Sequence, residues 1–332
     1  MEKILDKLGV ETILQSLNTK GTLHFIRIGR IGIFSRMMIC KKNRFGIIMV
    51  LQRLVSFQER NVMKIKSLKL VYFSPSGTTK KIVEAIAQGL KHSSTEHMDI
   101  TKPENRKRQL QVSENELLLI GVPVYFGRVQ TIAHEWLNTI KGHNTPVICV
   151  VVYGNREYDD ALLELKDSLV KNGCVPIACA AYIGEHSFSN PETPIAPGRP
   201  DADDLNHATS FGEIIREKIA SISSISHVAD FPVPGKHPYL DMGDRRKSLS
   251  GVDLMDVDDN CLQCGQCADL CPVGAIDPED SASIDVHHCI LCHACIKNCP
   301  VDARKTKNDM MKSIALRLSQ TFQSRKEPVF FM

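Results

Sequence analysis

Eight of the chain's twelve cysteines lie between Cys261 and Cys299, and they form a repeat. Cys261, Cys264, Cys267 and Cys271 precede Pro272; Cys289, Cys292, Cys295 and Cys299 precede Pro300, each 28 residues after its counterpart. Both copies read C-x2-C-x2-C-x3-C-P. Thiolates are soft ligands, and four of them suit the irons of a cubane cluster. Zinc motifs use two CxxC pairs across a longer gap, or add histidines at fixed spacing. His287, His288 and His293 are close by, but no such histidine spacing occurs. A disulfide framework requires an oxidising compartment, and the opening residues MEKILD lack a basic-then-apolar secretory layout. Iron–sulfur clusters are therefore the expectation. Cys149, Cys174 and Cys179 fall in or beside apolar runs, where a thiol serves as a small buried hydrophobe. Cys40 lies in the N-terminal segment and shows no motif.

A second chemistry is written at residues 74–79. Ser74, Ser76, Thr78 and Thr79 place four hydroxyls around Gly77, between an apolar run and a helix-like segment. Exposed N–H groups at a helix start hold anions. Neutral hydroxyl donors suit a phosphate monoester without any lysine or arginine within the six residues. A helix cap would need only one such side chain, so four favour phosphate binding.

These motifs require elements to position them. Apolar strand-like runs at 68–72, 117–122, 147–153 and 175–182, with a weaker one near 96–100, alternate with amphipathic segments at 79–91, 132–140, 158–171 and 202–219. Near-continuous apolar strands separated by helices imply a parallel sheet covered on both faces. The expected fold class is α/β: a doubly wound five-stranded parallel sheet over 63–225, followed by a small α+β domain over 259–304 that carries the cysteines. Residues 226–258 read as a proline-rich linker, with three prolines between Phe231 and Pro238. Residues 305–332 read as a basic helical tail, free in solvent or packed on the acidic cysteine-rich segment. Residues 1–62 carry 11 basic and 4 acidic side chains with no sustained period. They read as an extension outside the fold, upstream of a start at Met63; a basic arm for an anionic membrane or an acidic partner is the alternative.

Composition is ordinary for a globular protein, at 43% hydrophobic and 24% charged residues. The net charge of +3 gives no reason to expect a nucleic-acid partner. No apolar run approaches the roughly 18 residues of a membrane span. Residues 252–304 hold 10 acidic and 2 basic side chains. The expected compartment is the cytoplasm, where clustered cysteines bind metal.

The cysteine spacing is that of bacterial two-cluster ferredoxins. That resemblance implies that the fourth cysteine of each copy crosses over: Cys261, Cys264, Cys267 and Cys299 would hold one [4Fe-4S] cluster, and Cys289, Cys292, Cys295 and Cys271 the other. Residues 74–79 resemble the flavodoxin loop that binds the phosphate of FMN. The segments 121–128 and 153–160 resemble that family's two flavin loops, at the carboxyl ends of strands where such sheets bind ligands. The resemblance implies FMN contacts at Ser74, Ser76, Gly77, Thr78, Thr79, Pro123, Tyr125, Gly127, Tyr153, Gly154, Asn155 and Tyr158. Residues 66–304 together resemble the fused flavodoxin-like and two-[4Fe-4S] ferredoxin proteins of anaerobic bacteria and archaea. A long loop after the fifth strand, residues 183–200, departs from short flavodoxins and has either a lid or an interdomain role.

The function this implies is intracellular electron transfer between FMN and two [4Fe-4S] clusters, converting between one- and two-electron steps. Acidic surroundings suit a redox partner with a basic docking face. Two alternatives stand beside it: a flavin-dependent reductase of a small substrate fed by its own clusters, and a ferredoxin with an FMN-free docking domain.

Overall fold

A computed structural model describes His24–Phe25, Arg36–Met37, and residues 63–241, 251–253 and 255–332. The chain divides into units of 1–62 and 63–332. In the first, only an antiparallel pairing of His24–Phe25 with Arg36–Met37 is described. The expectations for residues 1–62 otherwise fall outside the described residues, as does the linker over 242–250.

In the second unit the apolar runs become β1 (Ser67–Tyr72), β2 (Thr95–Asp99), β3 (Glu116–Tyr125), β4 (Thr145–Tyr153) and β5 (Cys174–Ile183). They pair in parallel in the order 2-1-3-4-5, the doubly wound order with a ligand crevice at the β1/β3 switch point. β4 is buried along its whole length, as a strand covered on both faces must be. One face packs α1 (Thr78–Leu90) and α4 (Ala202–Ser221), the other α2 (Thr131–Leu137) and α3 (Ala161–Lys171), over two apolar layers. Among the described residues no helix is long and apolar enough to cross a membrane.

The cysteine-rich part has two short helices, α5 (Gln266–Asp269) and α6 (Ala294–Lys297). A two-stranded antiparallel ladder of β6 (Met255–Val257) and β7 (Arg304–Thr306) closes it. The tail forms α7 (Asp309–Thr321) and then, beyond the expected helix, a strand, β8 (Val329–Phe331). β8 adds antiparallel to β5, with Cys179 opposite Phe331 and Ala181 opposite Val329. The tail therefore completes the sheet edge in addition to packing on the cysteine-rich segment.

Residues 226–241 are no loose tether. Lys166, buried on α3, donates to Phe231 O and pairs with Asp230. The Asp160 carboxylate accepts from Lys236 N (3.0 Å) and Leu240 N (2.6 Å). The proline-rich stretch is thus pinned along the sheet's helix layer.

Candidate functional site

The loop after β1 bends at Gly77, whose φ of +82° is a left-handed value that glycine adopts at little cost. Gly77 is the N-cap of α1 and has no side chain to bond the helix start, a role left to Ser74. Ser74 Oγ accepts from Lys80 N at 3.0 Å, and Ser74 N donates to Thr101 Oγ1 at 2.7 Å, so Ser74 fastens the loop. Ser76 Oγ and Thr78 Oγ1 lie 3.3 Å apart and line a cavity of about 510 Å³. Thr79 Oγ1 is buried and has no protein partner. A helix start that keeps neighbouring hydroxyls free of the cap fits a phosphate.

Above the loop the same cavity is walled by Pro123, Tyr125 and Phe126 from the end of β3, and by Tyr153, Gly154 and Arg156 after β4. The long loop after β5 adds His186 and Phe188, the cysteine-rich part adds Ile290 and Leu291, and α7 adds Met310, Ile314 and Arg317. A Cβ on Gly154 would lie 2.3 Å from the His186 ring, so this glycine lets the long loop close on the β4 loop. Burial keeps His186 neutral by lowering its pKa to about 4. Because its Nδ1 accepts from Phe188 N at 3.0 Å, its proton belongs on Nε2.

Of the residues matched to the flavin loops, Pro123, Tyr125, Tyr153 and Gly154 line this cavity with Ser76 and Thr78. Gly127, Asn155 and Tyr158 stand off its wall. Gly127 sits in a tight turn whose carbonyl accepts from Asp160 N at 3.1 Å. Asn155 Nδ2 donates to Phe322 O (2.7 Å) and Ser324 O (3.1 Å), holding the tail. Tyr158 packs on Tyr153 at 5.5 Å between ring centroids, behind the wall.

A second, apolar cavity is lined by Cys271, Cys289, Cys292 and Cys295. These are the crossover set that the ferredoxin spacing implied. The backbone around each motif repeats as the sequence does. Gln263 and Gly265 have positive φ in the first copy, Leu291 and His293 in the second. These paired positive-φ positions bend the three-cysteine loop of each copy in the same way. Cys271 Sγ accepts from Ala275 N at 3.2 Å, and Cys299 Sγ from Ala303 N at 3.3 Å, the same four-residue step. Among the described residues no three Cys, His, Asp or Glu side chains gather closely enough to hold a single ion. Thiols spaced around a void suit a cube with four corners, whereas zinc draws its ligands to one point about 2.3 Å away.

The two sets differ in exposure. Cys292 is buried and Cys264 is exposed, so the Cys271/289/292/295 set is the inner one. Ile290 lines both cavities. A ring stack joins them as well: His186 lies 4.9 Å from Phe188, and Phe188 lies 4.7 Å from His293, beside Cys292. Lys297 Nζ ties the cysteine-rich part to the long loop through Glu185 at 2.9 Å. Arg106 does so to the phosphate-loop side, donating to Thr101 O (2.8 Å) and Pro272 O (2.5 Å). The residues 183–200 loop is therefore both the wall of one cavity and the joint to the other. Its only signal in the sequence was its length.

A family model described as a flavodoxin domain matches residues 69–173, and one described as a 4Fe-4S dicluster domain matches residues 260–303. None of the curated proteins matches the chain. Solved structures similar to it include a flavodoxin from the domain Archaea, 18% identical over 46% of this chain and 98% of that one, with a TM-score of 0.34. The Fusobacterium nucleatum flavodoxin bound to flavin mononucleotide is 16% identical over 46% of this chain and 99% of its own, with a TM-score of 0.33. The apo form of an NADH:FMN oxidoreductase (EMOB) is 14% identical over 49% and 96%, with a TM-score of 0.35.

Proposed function

From a chain that joins a flavodoxin domain to a 4Fe-4S dicluster domain, we propose an internal electron relay. Cys261, Cys264, Cys267 and Cys299 would hold an exposed cluster, Cys271, Cys289, Cys292 and Cys295 a buried one, and the 510 Å³ cavity would hold FMN, so that electrons taken up at the first could be handed inward to the last. Bound, the clusters supply one-electron steps and FMN stores two. The observation that carries this reading is the shared wall, in which Ile290 borders both cavities.

The chain's part is positioning. Ser76, Thr78 and the α1 N-terminus hold the phosphate. Tyr125 and Tyr153 form walls for the ring system, and Phe188 and Ile290 keep water out of the short path to Cys292. Leu262, Leu270 and Val301 are exposed beside the outer cysteines, in a segment rich in acids. That face suits a redox partner with an apolar patch rimmed by basic side chains, met in the cytoplasm. A second reading, a reductase of a small substrate, is favoured by α7 and the long loop, which wall the flavin cavity against a protein-sized acceptor.

Anaerobic preparation should yield about eight irons and eight inorganic sulfides per chain. After rapid reduction of the clusters, flavin bleaching should follow at a rate independent of protein concentration. A rate proportional to concentration would place the transfer between molecules and reject the relay. Small-molecule acceptors that turn over faster than proteins would select the reductase reading.

Thr78→Ala tests the phosphate loop. A hydrogen bond to a charged group contributes about 1.5–3 kcal/mol, so FMN affinity should fall roughly 10- to 150-fold. Fluorescence titration should show the loss for FMN and little change for riboflavin, which has no phosphate, with iron content unaltered.

A further inference from the structure

Arg304 opens β7 and is only 3% exposed. Its Nη2 donates to Ser281 O, while Nη1 is buried with no partner. Among the described residues it forms no ion pair with a carboxylate, unlike the neighbouring Lys305, which reaches Asp258 at 2.7 Å on the surface. The only other cation within residues 252–304 is Lys297, and Glu185 neutralises it. A buried, unpaired guanidinium is unfavourable unless an opposite charge lies close by.

The neighbours identify that charge. Arg304 follows Ala303, whose N–H donates to Cys299 Sγ at 3.3 Å. β7, which Arg304 opens, packs against α6, the helix that carries Cys295 of the inner set, while Cys299 of the outer set is held by the residue next to Arg304. The strand that begins with this buried guanidinium thus adjoins the parts of the chain that carry both sets of thiols. A cubane on four thiolates is anionic, and hydrogen bonds to its sulfurs and nearby charge set its potential.

We propose that Arg304 is the shared internal counter-cation of both clusters, with Nη1 donating to cluster sulfur, and that it raises the reduction potential of each. Taking up one electron from a reductant adds one negative charge to a cluster and moves no proton. A fixed cation beside the cluster favours that added charge. The proposal rests on the two-cluster part of the proposed function and is independent of the flavin.

The test is a potentiometric titration followed by electron paramagnetic resonance, on the full chain purified anaerobically. Arg304→Gln keeps the donor to Ser281 and removes the charge. It should lower the reduction equilibrium of both clusters about tenfold, or about 59 mV for a one-electron couple. Arg304→Lys keeps the charge and should stay within about threefold of the parent. Lys305→Gln, which removes an exposed and already paired cation, should change neither cluster measurably. If Arg304→Gln loses iron while Arg304→Lys keeps it, the need for charge is upheld by the iron analysis. Unchanged potentials in an iron-replete Arg304→Gln, an equal fall in both variants, or equal iron loss in both would overturn the proposal. A parent protein without clusters would instead reject the relay itself.

Discussion

Cys292→Ser should remove about four of the roughly eight irons and stop reduction of the flavin through the chain. Cys292 is the most buried of the inner thiols, held by a loop whose next-door residues, Leu291 and His293, take positive φ. A serine oxygen is a hard donor, poorly matched to an iron–sulfur site. Leu291 also faces the flavin cavity, so loss of the inner cluster breaks the path beside the ring system. Cys264→Ser should remove the outer cluster instead. Its flavin should still be reduced by a small mediator, and only reduction by a protein donor should fail. Iron and sulfide analysis with stopped-flow spectroscopy separates the two variants. If both block the small mediator equally, the inner and outer assignments are wrong.

A comparable loss, in stability this time, is expected from Asp204→Asn. Asp204 is 1% exposed in the first turn of α4. Its carboxylate accepts from Arg199 Nε at 2.7 Å, from Arg199 Nη2, and from Asp201 N at 3.0 Å. Arg199 is itself buried and donates to Lys326 O at 2.7 Å. This one pair joins the long loop, α4 and the tail. Breaking a buried pair from one side costs about 3–5 kcal/mol, because the remaining charge stays uncompensated. For a unit of this size each kcal/mol moves the melting temperature by about 2–4 °C, so a fall of roughly 6–20 °C should appear in anaerobic thermal unfolding. The paired replacement Asp204→Leu with Arg199→Met should recover most of it. A fall below about 2 °C in Asp204→Asn would show that water reaches the pair.

The sheet could be read from the sequence because its central strands are buried on both faces and so appear as unbroken apolar runs. The run from Val147 to Tyr153 needed no partner to be recognised. The 4Fe-4S dicluster segment at 260–303 was legible because metal chemistry fixes residue type and spacing together. Val329–Phe331 was not legible: three residues cannot establish a period, and their pairing with Cys179–Ala181 spans about half the chain. Asn155 and Tyr158 sit in a segment that resembles a flavin loop, yet the first holds the tail and the second backs Tyr153. Local resemblance located the loop but not the direction of each side chain, which for Asn155 depends on a tail more than 160 residues away. Arg304 was read only as one basic residue in an acidic segment; its burial and its unpartnered nitrogen exist only in three dimensions.

The strand at Val329–Phe331 also bears on the order in which the protein matures on the ribosome. Domains fold as they emerge, from the N-terminal side, yet the outer edge of β5 is covered only after the cysteine-rich segment has been synthesised. Until then Cys174–Ile183 presents free backbone groups, the kind of edge through which chains join one another. Cluster insertion and sheet closure therefore share one interval of synthesis.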